Sequence, residues 1–132
     1  MERKPRKEIK VHVATGRERL ERLARSLDAL APEKLRLSRW YGQGKGCAIG
    51  WAALSDPWFQ GLRLERDNSL KDCRPVYGNK TDWQAVLGFF EIGYEDVIRL
   101  FVPAAYGGAM QPHPKRVAAK IRAFLAEAQA AA

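Results

Sequence analysis

The chain has 132 residues, 23 Lys and Arg against 15 Asp and Glu, and a formal net charge of +8. That length fits one domain, and 46% hydrophobic residues are enough for a globular core, which excludes a wholly disordered chain. No apolar run approaches the ~20 residues that span a bilayer, and no hydrophobic stretch follows the charges of residues 1–7, so a cytoplasmic protein without membrane contact is expected, its two cysteines reduced.

Residues 1–8 read as a basic flexible tail and residues 9–132 as a single, mainly helical domain. Ile9, Val11 and Val13 alternate with Lys10 and His12, the pattern of a short strand. Thr15 with Glu18 forms a capping-box signature, and Leu20, Leu23, Ala24, Leu27 and Leu30 follow as one apolar stripe of a helix that Pro32 ends. Leu35 and Leu37 alternate with polar neighbours and suggest a second short strand. The glycine-rich turn Gly42-Gln43-Gly44-Lys45-Gly46 opens a helix over 47–54. Asp56 before Pro57 predicts one helical turn over 57–60. Leu62–Glu65 reads as a third strand, and residues 66–80 as a long polar loop.

Thr81 with Gln84 has the spacing of a second capping box, opening a helix through Phe90. Gly93 interrupts the pattern, Tyr94–Phe101 resumes it, and the Pro- and Gly-rich residues 103–113 read as loop. A last helix starts near Pro114, with Val117, Ala118, Ile121, Phe124, Leu125 and Ala128 on one face. The expected fold is mainly α with a minor α+β character, a compact bundle of four to five helices with two or three short strands.

The charge is uneven. Residues 1–45 carry a net +7, residues 46–113 a net −2 and residues 114–132 a net +3. A polyanionic partner would therefore meet the ends of the chain. Arg3, Lys4, Arg6, Lys7 and Lys10 form a cluster suited to phosphates rather than to base edges. Arg36 and Arg39 beside Trp40 and Tyr41, with Lys45 in the glycine turn, give the basic-aromatic composition on which bases stack. Lys115 and Arg116 occupy the first turn of the last helix, where the dipole prefers acids and an external anion would compensate. Glu18 with Arg22 and Glu21 with Arg25 have the i, i+4 spacing of local ion pairs, which reads as a solvated face.

Other chemistry finds less support. Cys47 at a glycine-rich helix start could be an activated thiolate, but Cys47, Gly50, Trp51 and Leu54 recur at helical spacing, which favours a buried cysteine and a close-packed glycine. A cysteine hydrolase would need His12 or His113 as base and a third orienting group, which the sequence does not identify. Two Cys and two His at 12, 47, 73 and 113 lack zinc-site spacing, so neither metal nor cofactor is expected. Residues 83–101 are similar to a helix-turn-helix in hydrophobic spacing. The position glycine usually holds in that turn is Glu91, however, and the second helix sets Glu95 and Asp96 against Arg99, which opposes docking on phosphates.

The strings Cys47-Ala48-Ile49-Gly50-Trp51-Ala52-Ala53, Gly61-Leu62-Arg63-Leu64 and Pro75-Val76-Tyr77-Gly78, with Phe89-Phe90 and Leu100-Phe101, resemble a family of small uncharacterised bacterial and phage proteins. The resemblance covers residues 35–127 and implies a compact helical domain without implying an activity. Three functional expectations follow. The first is a non-enzymatic binding protein whose basic ends contact a polyanion, either nucleic acid or an acidic protein surface. The second is a protein-interaction or regulatory module using Trp58, Phe59, Tyr94 and Tyr106 as contacts. The third is the cysteine-dependent hydrolase.

Overall fold

A computed structural model of the chain describes residues 14–38, 40–42, 45–55, 61–67 and 72–131. The expected tail over 1–8, the strand over 9–13 and the helical turn over 57–60 lie outside the described residues. Five α-helices occur among the described residues: α1 (Gly16–Asp28), α2 (Ala48–Ser55), α3 (Asp82–Phe90), α4 (Tyr94–Leu100) and α5 (Pro114–Ala131). They accompany a five-stranded antiparallel sheet of β1 (Tyr41–Gly42), β2 (Lys45–Gly46), β3 (Leu62–Asp67), β4 (Asp72–Tyr77) and β5 (Lys80–Thr81). The domain is thus helix-dominated α+β, with a larger sheet than the sequence suggested.

Helix α1 starts as its sequence requires. The Glu18 N–H donates to Thr15 Oγ1 at 3.1 Å and the Thr15 N–H donates to Glu18 Oε1 at 2.9 Å, closing the capping box. The stripe Leu20, Leu23, Ala24 and Leu27 is buried. It meets Val86, Phe89 and Phe90 of α3 and Val117, Ala118 and Ile121 of α5 in one core. Each fully buried Leu or Phe there contributes about 1.5–3 kcal/mol.

The residues expected to be a polar loop, 66–80, instead hold the end of β3, all of β4 and the start of β5. β4 pairs with β3 along its whole length, from Leu62 opposite Tyr77 to Asp67 opposite Asp72. Across its other edge it meets β1 at Cys73 and β5 at Val76 and Tyr77. Pro75, which lacks an N–H, falls in the gap between those two short partners, so its place in an inner strand leaves no ladder bond broken on that side. Gly78, at φ 63°, begins the two-residue turn Gly78-Asn79 that folds β5 back onto β4.

Two further expectations are corrected locally. Residues 35–37 form no strand: after a 3-10 turn at Pro32–Lys34, Leu35 makes a single bridge to Gly46, and both Leu35 and Leu37 are buried. Their alternation reflects burial at the end of a turn. At α3, Thr81 is the N-cap but its side chain makes no capping bond. Thr81 is held in β5 opposite Val76, and Asp82 enters the helix at φ 54°. The residues needed for a box are present; the backbone path into the helix is different. No described helix is long and apolar enough to cross a membrane.

Candidate nucleic-acid interface

Helices α1 and α5, near the two ends of the described chain, lie side by side. α1 and α5 pack antiparallel: Arg17, at the start of α1, donates from Nη1 to the Leu125 carbonyl at 3.1 Å. At the end of α1, Asp28 accepts from Arg122 Nη2 at 2.6 Å and Nη1 at 3.4 Å. Between these ties lies an open cleft of about 380 Å³, lined by Arg17, Glu21, Arg25, Arg122, Leu125 and Ala126. Three guanidinium groups and one carboxylate thus share its lining with Leu125 and Ala126. Arg25 and Glu21 are exposed, and no ion pair joins them among the described residues. The expected Glu21–Arg25 partnership is therefore absent, and Glu18 serves the Thr15 capping box.

Asp28 completes the electrostatics of this face. Its carboxyl is held below the ordinary aspartate range chiefly by the Arg122 hydrogen bond, which outweighs an opposing effect of burial and is helped by the charges of Arg122 and Lys115. Lys115, whose place at a helix start looked unfavourable, thus feels an acid supplied by the end of α1. Arg116 lies over the Tyr106 ring, 5.4 Å from its centre, with Lys120 5.3 Å from the same centre. Both cations have neighbours inside the fold, so the sequence argument that they call for an external anion loses its force.

The remaining candidates are distributed elsewhere. Arg3, Lys4, Arg6, Lys7, Lys10 and Arg39 lie outside the described residues. Arg36 is half-buried, with Nε donating to Ser38 Oγ at 3.1 Å. Lys45 is exposed on β2. Trp40 is half-buried against the core and tilts onto Trp83, with ring centres 4.6 Å apart. Its surroundings are those of a packing anchor, and the Arg36–Lys45 stretch belongs to the β1–β2 corner rather than to the α1–α5 cleft.

The cysteine and helix-pair readings meet specific geometry. Cys47 is buried, and its Sγ lies 3.9 Å from the Trp40 carbonyl as donor. His113 is exposed, and its Nδ1 accepts the Lys115 N–H at 3.1 Å, which makes it the cap of α5. Cys73 is half-buried, and neither cysteine is in a disulfide. In α4, Val97 and Leu100 are buried. Its one cation, Arg99, is clamped to both carboxylate oxygens of Glu127 on α5 at 3.1 and 2.9 Å. Such a helix has no free charge for phosphates. Among the described residues no group of three or more His, Cys, Asp or Glu could hold a metal ion.

Of the aromatic contacts proposed for a protein partner, Tyr94 is exposed on α4 but Tyr106 is buried, its hydroxyl donating to the Leu100 carbonyl at 2.7 Å. Desolvation there pushes the Tyr106 hydroxyl well above its ordinary range, against the opposing charge of Arg116. Tyr106 is therefore corrected from contact to core residue. Trp58 and Phe59 lie outside the described residues.

The chain matches no protein-family model, no curated protein and no solved structure. What it does must be read from its own surface. The sequence did not single out Arg17 or Arg122, and it read Arg25 only as half of a local ion pair on a solvated face. Arg17 and Arg25 sit eight apart on α1, two turns along the helix beside its apolar stripe. That spacing was available, whereas the approach of Arg122 depends on the antiparallel packing.

Proposed function

We propose that this protein is a non-enzymatic nucleic-acid-binding module whose α1–α5 face contacts the phosphate backbone. One observation carries the reading: α1 and α5 pack together so that Arg17, Arg25 and Arg122 line a single cleft. Convergence concentrates positive potential where scattered charges would only aid solubility. Arg3, Lys4, Arg6, Lys7 and Lys10 precede α1 in sequence and are further candidates for phosphate contact.

The test is a salt titration with labelled single-stranded DNA, single-stranded RNA and duplex DNA, read by fluorescence anisotropy. Three neutralised phosphates imply a loss of about 20-fold in single-strand affinity between ~50 and ~200 mM salt. Replacing Arg25 and Arg122 together by Glu should weaken binding and flatten that slope. Absence of binding at ~50 mM salt removes the proposal. So does a slope that the double variant leaves unchanged.

A protein-interaction reading has one observation of its own. Tyr94 and Ile98, one turn apart on α4, are each 52% exposed. If this pair seats a partner protein, Ile98→Glu abolishes capture of that partner while leaving the salt titration intact.

A further inference from the structure

We propose that the α1–α5 cleft seats a single unpaired nucleotide, with its phosphate on Arg25 and Arg122 and an amino group of its base on Glu21. This inference rests on the nucleic-acid reading and specifies the ligand of that same face. A plain polyanion surface has no use for a carboxylate at its centre, since Glu21 repels any phosphate placed between the arginines. Glu21 makes no hydrogen bond or ion pair among the described residues, although Arg25 is four positions away on the same helix. Its oxygens are left as acceptors in the cleft that Arg25 and Arg122 also line. A ligand that satisfies both must carry negative charge and, next to it, an N–H donor.

The shape narrows the class further. At about 380 Å³ the cleft lies in the range of small-ligand sites, about 300–1,000 Å³. Leu125 and Ala126 supply the apolar part of its lining. Arg122 gives two of its five N–H groups to Asp28, which orients the guanidinium and leaves three for a ligand. Arg25, on the same side, is exposed. A nucleotide presents a phosphate, a flat base and, in cytosine, adenine or guanine, an amino group that a carboxylate accepts well. A base enters such a cleft only when unpaired, so the ligand is a single strand.

Two labelled oligonucleotides, dC12 and dT12, separate the base contact from the phosphate contact. They carry equal charge, but cytosine offers an amino group where thymine offers a carbonyl. The wild-type protein should bind dC12 about tenfold more tightly than dT12. Glu21→Ala should bring the ratio to within about twofold, chiefly by raising dT12 affinity as the repulsion disappears. Arg25→Glu should weaken both strands while preserving the ratio. Equal binding of dC12 and dT12 by the wild type overturns the nucleotide assignment and leaves the phosphate reading standing, as does a ratio that survives Glu21→Ala. If neither strand binds, the nucleotide assignment falls, and the phosphate reading is decided separately by the duplex DNA and RNA titrations. Because Glu21 is exposed on a helix and alanine is a strong helix former, the Glu21→Ala protein keeps its fold, which its circular dichroism will verify.

Discussion

The Arg19 guanidinium donates from Nη1 to the Phe89 carbonyl at 2.8 Å and lies 4.2 Å from the centre of the Phe89 ring. One arginine of α1 is thus committed to the fold: it satisfies a carbonyl in the last turn of α3, where the helix dipole favours a cation, and covers an aromatic face. Arg25, on the cleft side of the same helix, is exposed and has no such tie. Arg19→Ala should therefore lower stability by about 2 kcal/mol in urea denaturation, whereas Arg25→Ala should change it by no more than about 0.5 kcal/mol. Binding should show the reverse order, with the salt slope sensitive to Arg25 and indifferent to Arg19. Equal stability losses in the two variants would contradict this division of roles.

Glu91 occupies a left-handed backbone conformation, φ 55° and ψ 49°, at the end of α3. The Ile92 N–H donates back to the Leu87 carbonyl at 3.2 Å, the six-to-one bond of a Schellman ending. Glycine is the usual residue at this position because it has no Cβ to strain. Glu91→Gly should raise stability by about 0.5–1 kcal/mol, read as a higher urea midpoint with an unchanged slope. A lower midpoint would mean that the Glu91 side chain contributes more than its backbone strain removes.

That turn was legible in the sequence, since the comparison with a helix-turn-helix already placed Glu91 where glycine is expected. So was α1, from Thr15, Glu18 and its leucine stripe. Cys47 is buried as expected, but not through the expected stripe: Leu54 is 50% exposed, and α2 buries Ala48, Ile49 and Ala52 instead. The sheet was not legible. β4 contains Pro75 and mixes Asp72 and Arg74 with Val76, so period-two alternation fails, and only the Gly78-Asn79 turn marks the hairpin. The cleft was hidden for a different reason. Local spacing paired Glu21 with Arg25, while the approach of Arg122 to Asp28 joins residues 94 apart. Charge totals place basicity at the ends; they do not say that the ends meet.

Gly50 in α2 has no room for a side chain. A Cβ built there falls 1.7 Å from the Trp40 carbonyl oxygen, which is backbone and cannot swing aside. Gly50→Ala therefore forces α2 away from the β1–β2 corner, and the usual gain in helix propensity of about 1 kcal/mol is overwhelmed. The expected net loss is about 2–4 kcal/mol. The Trp40 fluorescence environment should change with it, because Trp40 sits against both Gly50 and Trp83. A variant as stable as the wild type would show that the helix can shift without strain.

The Asp28–Arg122 pair gives a pH dependence of definite sign. Because the carboxyl of Asp28 is lowered on folding, the pair's contribution is complete above the unfolded aspartate value, near pH 4, and is lost as pH falls through the lower folded value. Both side chains are substantially exposed, at 39% and 50%, which limits that contribution to about 0.5–1 kcal/mol. At pH 7 and low salt, Asp28→Asn should be less stable than the wild type by this amount. The difference should vanish once the pH is below the folded Asp28 value and shrink in high salt. A difference that persisted unchanged at acid pH would assign the effect to packing instead of charge.

His113 caps α5 by an unusual choice of side chain. Its Nδ1 accepts the Lys115 N–H at 3.1 Å, so one of the orphan donors of the helix start is satisfied by an imidazole ring. Just inside that start stand Lys115 and Arg116, two cations at the positive end of the helix. His113→Ala should lose the cap and about 0.5–1 kcal/mol of stability. His113→Asp should do better than the wild type by about the same amount, since aspartate supplies both a capping oxygen and a negative charge beside the two cations. The gain should diminish in high salt, whereas the capping component should not. Urea midpoints of the three proteins at low and high salt resolve the two components. An aspartate variant no better than the alanine variant would show that the bond to Lys115 contributes nothing to holding α5 in place.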